Sequence, residues 1–206
     1  MVIGAGLGGQ TCAAYLARSG LKPQVLEQHT KPGGYATRFQ RRDFSFEVSL
    51  HALPCGAGNP TRRILDDLGV SGRLDFVKLP ELYRVVTPKH DLRFPQADPE
   101  AFKAVLADRF PEESRGIGRF VDGLVAVADE IGRLARNQDR YVTLLFPFQY
   151  RGMWKVRNRT LGDLLAESVR SPELATLLSI LWCYYGLPPS RLSGFYFSAG
   201  TGDYIK

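Results

Sequence analysis

Cysteine and histidine are scarce. The 206 residues hold three of each. Cys12, Cys55 and Cys183 are odd in number and far apart, which excludes a disulfide framework and a metal knuckle. A reducing compartment is the expectation. Cys12 reads as helix packing and Cys183, beside Trp182 and Tyr184, as core or pocket lining. His29 and His90 read as surface residues. Long apolar runs are missing too. The longest, Leu174 to Leu187, is broken by Thr176, Ser179 and Gly186 and falls short of the ~20 residues that span a bilayer. No basic segment precedes a short apolar core, and Gly4, Gly6, Gly8 and Gly9 interrupt the start, so no signal peptide reads there. There is no internal repeat and no low-complexity tract. The net charge is +6, but the basic residues are scattered and no array interleaves them with aromatics. Nucleic acid is therefore not expected as a partner.

The chain opens as α/β. Val2-Ile3 reads as the end of a buried strand, Gly8 to Ser19 as a helix stopped by Gly20, and Gln24 to Glu27 as a second strand. Strand, glycine turn, helix, strand is a crossover that makes a parallel sheet. Phe44, Phe46, Val48 and Leu50 alternate, which predicts a half-buried strand. Asn59-Pro60 starts a short helix that Gly69 stops. "FVKL", "LYRVVT" and "DLRF" between residues 75 and 95 read as short strands, with "TPKHDL" as a turn.

Beyond residues 95–100 the pattern becomes helical. Asp98 and Pro99 open one helix. Ile117, Phe120, Val121, Leu124, Ala128, Ile131 and Leu134 share a face of a long amphipathic one. Thr160 caps "LGDLLAESV", and "PELATLLSILWCYYGL" follows as a further helix. The expected division is residues 1–95, an α/β part with short β segments, and 96–206, a helical subdomain.

Gly4-x-Gly6-x-x-Gly9 is the dinucleotide fingerprint in its required context between strand and helix. The first glycine allows the tight turn, the second lets backbone approach a pyrophosphate, and the third lets helix pack on strand. Gly8 lies in the same turn. The helix N-terminus offers free N–H groups to phosphates. Glu27 ends the second strand and can accept from a ribose hydroxyl, and an acidic group there disfavours a 2′-phosphate. That leaves NAD or FAD. The Gly33-Gly34 pair soon afterwards is either a second backbone surface along an extended cofactor or a plain glycine turn between strands.

"VIGAGLGG…LARSG…VLEQHTKPGGYATRF…FSFEVSLH" resembles the N-terminus of the FAD-dependent phytoene desaturase and carotenoid isomerase superfamily. Its retinol saturase-like and prolycopene isomerase-like members look nearest, through "LEQH…GG" and His51. "ADRFPEESRGI", "TLGDLL", "PELATLLSILWCYYGLPPS" and "FYFSAGTGDYIK" resemble substrate-domain segments of that family, more loosely. The resemblance implies a Rossmann-like FAD-binding βαβ unit carrying an inserted β-rich and helical substrate subdomain. It implies FAD in extended form, with Gly4, Gly6 and Gly9 at the pyrophosphate, Glu27 on the adenosine ribose, Gly33 and Gly34 near the phosphates and ribitol, and Val48 to His51, Ser49 included, near the isoalloxazine. His51 is the one candidate acid or base. There are departures. Tyr35 stands where many members carry arginine, Asp43 where a glycine usually precedes the aromatic strand, and Glu47 and Ser49 replace the Asp and Gly of an "FDxG" motif. A side chain at 49 would crowd backbone meant to lie against a flavin.

The function implied is FAD-dependent desaturation, saturation or isomerisation of a conjugated isoprenoid, a carotenoid or retinoid. The expected setting is cytoplasmic, with peripheral membrane contact through a lipid-borne substrate. Only two residues precede Gly4 in the first strand, and the chain stops within the helical subdomain, so the expectation is a C-terminally truncated family member with poor flavin retention. Two other readings stay open: a non-enzymatic lipid-shielding carrier of the same architecture, and an NAD-binding domain. The aromatics Trp182, Tyr184, Tyr185, Phe195, Tyr196 and Phe197 either line an apolar channel or form core. "GTGDY" at 200–204 resembles a closing flavin motif but lacks the strand before it and the helix after it.

Overall fold

The first glycine turn lies where β1 (Val2–Ile3) gives way to α1 (Leu7–Arg18), and the chain returns in β2 (Val25–Leu26) parallel to β1. Val2 pairs with Val25 and Ile3 with Leu26. This computed structural model describes every residue except His51, Ala57 and residues 137–141, and only the backbone at Arg136 and 142–144. The architecture is mixed α/β, with a βαβ unit at the N-terminus. β3 (Arg38–Arg41) and β4 (Phe44–Glu47) form an antiparallel hairpin, as do β5 (Glu81–Val86) and β6 (Asp91–Pro95).

The chain forms two compact units, 1–77 and 78–206. The expected switch at residues 95–96 is therefore displaced. The β5–β6 hairpin belongs with the helices because Val85, Leu92 and Phe94 are buried in the same cluster as Phe102 and Leu106. Hydrophobic burial, not strand content, sets this boundary.

In unit 1, helix α2 (Pro60–Asp67) starts as expected. The Asn59 side chain accepts from Thr61 N–H at 2.9 Å, and Gly69 leaves the helix at φ +70°. Tyr15 of α1 donates to Asp67 of α2 at 3.2 Å. Of the described residues in this unit, only Ala5, Ala13 and Gly33 are buried. The strand expected to be half-buried is not: β4 is exposed along its whole length, and Phe46 stacks instead on Phe39 across the hairpin, with ring centroids 5.3 Å apart. The alternation here marks a cross-strand aromatic pair rather than a buried face. Cys12, expected to pack, is exposed, and "FVKL" forms no strand.

Unit 2 holds the main core. Asp98 caps α3 (Pro99–Ala107) by accepting from Ala101 N–H at 2.9 Å. The long helix α4 (Ser114–Arg136) buries Ile117, Phe120, Val121, Leu124, Val127 and Ala128, on the face its periodicity predicts. α5 (Val142–Gln149) and α6 (Arg151–Val156) follow. α7 (Leu161–Ser168) begins with a complete capping box between Thr160 and Asp163. α8 (Pro172–Ser179) passes into a 3₁₀ segment, Ile180–Tyr185, that Gly186 ends, so the single helix expected from 172 to 187 changes pitch halfway. α9 (Gly194–Ile205) contains "GTGDY". Those glycines serve packing: a Cβ on Gly202 would lie 2.2 Å from the Leu124 carbonyl oxygen, so only glycine lets α9 approach α4 this closely.

Two carboxylates cap backbone from a distance. Glu113 accepts from Arg170 N–H and Ser171 N–H at 3.0 and 2.7 Å. Buried Glu130 accepts from Gly152 and Met153 N–H at 3.0 and 2.8 Å at the start of α6. His90 is not a surface residue: its side chain is 16% exposed, and Nε2 lies 3.1 Å from Glu173 Oε1. Cys183 is exposed rather than core. The aromatic group around it divides. Phe197 is fully buried and Tyr185 half-buried, while Trp182, Tyr184 and Tyr196 face outward.

Candidate dinucleotide-binding site

Ala5, between the first two fingerprint glycines, is buried and fixed on both sides of its peptide. Its N–H donates to Glu27 Oε2 at 2.6 Å, and its carbonyl accepts from Gly33 N–H at 2.7 Å and from Gln10 Nε2 at 2.7 Å. These bonds join both glycine motifs and the acidic strand end in one constellation. Glu27 Oε1 also accepts from His29 N–H at 2.8 Å. The His29 amide first, and the Ala5 amide next, hold the Glu27 carboxyl below its ordinary pKa. It is ionised at neutral pH and keeps lone pairs for a further donor.

The glycines divide the work. Gly4 adopts φ +93°, the left-handed turn that a side chain would strain. A Cβ on Gly9 would fall 1.9 Å from the Gly4 carbonyl oxygen, so this glycine lets α1 sit against β1. Gly8 has open space: a Cβ there would meet no atom within 4 Å. At Gly6 the nearest atom would be Gly34 Cα at 4.0 Å. Packing explains Gly9; it does not explain Gly6 and Gly8, where bare backbone faces outward.

Gly33 pairs with Gly6 as an isolated parallel bridge, and Gly33 and Gly34 have φ of +121° and +60°. A Cβ on Gly34 would come within 3.2 Å of Gly6 Cα. The second motif thus lies directly against the first. No side chain caps the N-terminus of α1, and its first turn carries no acidic residue. Its leading N–H groups and the positive end of its dipole are available to an anion. Bare backbone, unspent helix N–H groups and an ionised carboxylate are a donor and acceptor set that fits a dinucleotide.

Ser49 Oγ donates to the Tyr35 carbonyl at 2.9 Å, and Val48 N–H donates to Thr37 O at 3.0 Å. Ser49 therefore ties the end of β4 to the segment following the glycine pair. His51 lies outside the described residues. Among the described residues no group of His, Cys, Asp or Glu could hold a metal ion. The sequence reading missed Ala5 and Gln10. The signal for Ala5 is its place between two glycines that must leave its peptide exposed to both neighbours. Gln10 carries no comparable signal.

The family model described as an NAD(P)-binding Rossmann-like domain matches residues 2–68. Rat all-trans-retinol 13,14-reductase is 28% identical over 208 residues, covering 93% of this chain and 33% of the relative. Carrot chloroplastic prolycopene isomerase is 22% identical over 186 residues, covering 86% and 30%. A zebrafish protein named inactive all-trans-retinol 13,14-reductase is 37% identical over 78 residues, 38% of this chain and 13% of its own length. The chain spans about a third of the length of the first of these relatives. The N-terminal unit is a dinucleotide-binding Rossmann-like domain, and the chain is similar in sequence to retinol 13,14-reductases and prolycopene isomerases over roughly a third of their length.

Proposed function

We propose that this chain is the FAD-binding front of an oxidoreductase that desaturates, saturates or isomerises a conjugated isoprenoid, a carotenoid or retinoid. The observation that carries the cofactor choice is the seating of Gly33 on the first turn, through its N–H on Ala5 O and its bridge to Gly6. A single mononucleotide half needs one glycine turn. Two turns joined edge to edge give an extended cofactor a continuous side-chain-free surface. The substrate class rests on the relatives, whose names are those of a retinol reductase and a prolycopene isomerase.

In this reading the N-terminus of α1, with Gly4, Gly6, Gly8 and Gly9, holds the pyrophosphate, and Glu27 holds the adenosine ribose. Gly33 and Gly34 border the ribitol side, and Ser49 lies toward the ring. His51 is assigned proton transfer. FAD, when bound, supplies the redox chemistry; the protein supplies orientation and electrostatics.

Calorimetric titration of the chain with FAD, NAD and NADP tests the cofactor. Saturable one-to-one binding of FAD, with NAD weaker and NADP weakest, is expected. Binding of NAD in preference to FAD would make unit 1 a nicotinamide domain. Binding of neither would favour the carrier reading, in which the fold shields lipid without redox chemistry.

A further inference from the structure

A cavity of about 310 Å³ lies between α4, α6, α7 and α9 of unit 2. Its inner wall is apolar: Phe120, Leu124 and Val156 are buried and Leu164 is half-buried. Ser198 also lines it, but its hydroxyl donates to the Gly194 carbonyl at 2.6 Å and has no proton left for a ligand. Gly123 borders the cavity from α4. A glycine inside a helix is destabilising, and the other close glycines have a packing reason: a Cβ on Gly116 or Gly202 would strike a backbone oxygen at 2.1 or 2.2 Å. A Cβ on Gly123 would meet no atom within 4 Å. Packing therefore does not explain Gly123; an open cavity does. Arg119, Lys155 and Glu167 stand at the outer end, all three exposed.

We propose that this cavity binds a small amphipathic carboxylate, with its apolar tail inward and its head at the mouth. The charges choose the head. Glu167 is taken by Arg159 at 2.6 Å, which holds its carboxyl ionised and below its ordinary pKa. That pair is neutral overall. Arg119 gives one N–H to the Ser168 carbonyl at 3.3 Å, which steadies it at the end of α7, and four of its five donors remain. Among the described residues neither Arg119 nor Lys155 enters a salt bridge. Two uncommitted cations thus flank one apolar hole. A guanidinium matches a carboxylate in two parallel hydrogen bonds. The ionised Glu167 beside them would repel the second charge of a phosphate monoester, so a monoanion fits better. The size also fits: ligand cavities run from about 300 to 1,000 Å³, and this one suits a short tail. Every residue of the cavity belongs to unit 2, so the inference does not rest on which cofactor the glycine turn holds.

NMR titration of the 206-residue chain with sodium octanoate tests it. Saturable shifts are expected at the amides of Phe120, Gly123, Val156 and Leu164. Cations at a solvent-exposed mouth contribute about three- to fivefold each. Arg119→Gln and Lys155→Gln should each weaken binding by about that factor, and neutral octanol should bind roughly tenfold more weakly than octanoate. Octylammonium should not bind. Gly123→Leu fills the cavity from α4 and should abolish the shifts without lowering the melting temperature, because leucine favours a helix over glycine. If that variant fails to fold, Arg119→Glu with Lys155→Glu serves instead, since both side chains are exposed; it should refuse octanoate and accept octylammonium. Shifts that never saturate, equal binding of octanoate and octylammonium, or octanoate binding indifferent to these variants overturns the proposal. So does tighter binding of octyl phosphate, which would exchange the carboxylate for a phosphate. Tighter binding of all-trans-retinol at the same amides overturns it too, because the cavity would then belong to a neutral isoprenoid.

Discussion

The Glu27 carboxylate accepts the Ala5 amide N–H at 2.6 Å. The residue whose sequence position marks it for a ribose is thus also the clamp on the turn that would hold the pyrophosphate. Each carboxylate oxygen has two lone pairs, and the Ala5 and His29 amides use one on each oxygen. A ribose hydroxyl can be bound without giving up the turn, and an incoming ligand finds the carboxylate already oriented.

Removing that carboxylate should weaken FAD binding more than it weakens the fold. Hydrogen bonds to charged groups are stronger than those between neutral groups, so Glu27→Ala should lower FAD affinity by roughly tenfold or more in a calorimetric titration. Exchange of the Ala5 amide should quicken in the same variant. An unchanged affinity with a faster-exchanging Ala5 would assign Glu27 to the turn alone.

The same contact carries a pH dependence with a definite sign. The Glu27 carboxyl is held below its ordinary value of 4.5 by the His29 and Ala5 amides. A depressed carboxylate stabilises the folded turn above that ordinary value, and the contribution disappears as pH falls through the folded pKa. Ala5 amide exchange at constant temperature should therefore be slow and flat from neutrality to about pH 5, once intrinsic rates are divided out. It should accelerate at lower pH. Glu27→Gln should flatten that profile; persistence of the acid limb in this variant would place the sensitivity elsewhere.

Short-range chemistry was legible in the sequence and long-range chemistry was not. Asn59, Asp98 and Thr160 cap their helices as read, because a cap is decided within three residues. The glycine spacing and Glu27 marked the candidate site for the same kind of reason: a βαβ turn has a fixed local geometry. The contact of Gly33 with Ala5 spans 28 positions and His90 with Glu173 spans 83, and neither leaves a periodic trace. The alternation at Phe44 and Phe46 was real, but period two reports which side chains share a face, not whether anything covers that face. The boundary error has a related cause. Strand type changes to helix type near residue 95, whereas the core that Phe94 enters is shared with Phe102 and Leu106.

Two neighbouring glycines in the first turn should respond in opposite ways. Gly9→Ala puts a methyl 1.9 Å from the Gly4 carbonyl oxygen, inside any tolerable contact. Overpacking of this kind costs about 1–3 kcal/mol, so unit 1 should melt earlier or fail to fold. Gly8→Ala meets no protein atom within 4 Å, and alanine favours a helix over glycine. That variant should fold at least as well as the parent and still bind FAD more weakly, since the methyl takes up the space that the proposed reading gives to a phosphate. Thermal melting and titration of both variants would separate packing from binding; a Gly8→Ala chain with undiminished affinity would show that the pyrophosphate does not pass there.

The glycine of "GTGDY" provides the complementary case in unit 2. A Cβ on Gly202 would lie 2.2 Å from the Leu124 carbonyl oxygen and 3.1 Å from the Ala128 Cβ. Backbone cannot yield as a flexible side chain does, so Gly202→Ala must push α9 off α4 and open the cluster containing Leu124, Phe197 and Ile205. The cost should be about 3 kcal/mol, read as a lower melting temperature by roughly 10 °C. FAD affinity should be unchanged, because no atom of this contact belongs to the glycine turn of unit 1. If the same substitution instead removed FAD binding while leaving the melt intact, Gly202 would have to be a cofactor contact, and its resemblance to a flavin motif would have to be taken literally.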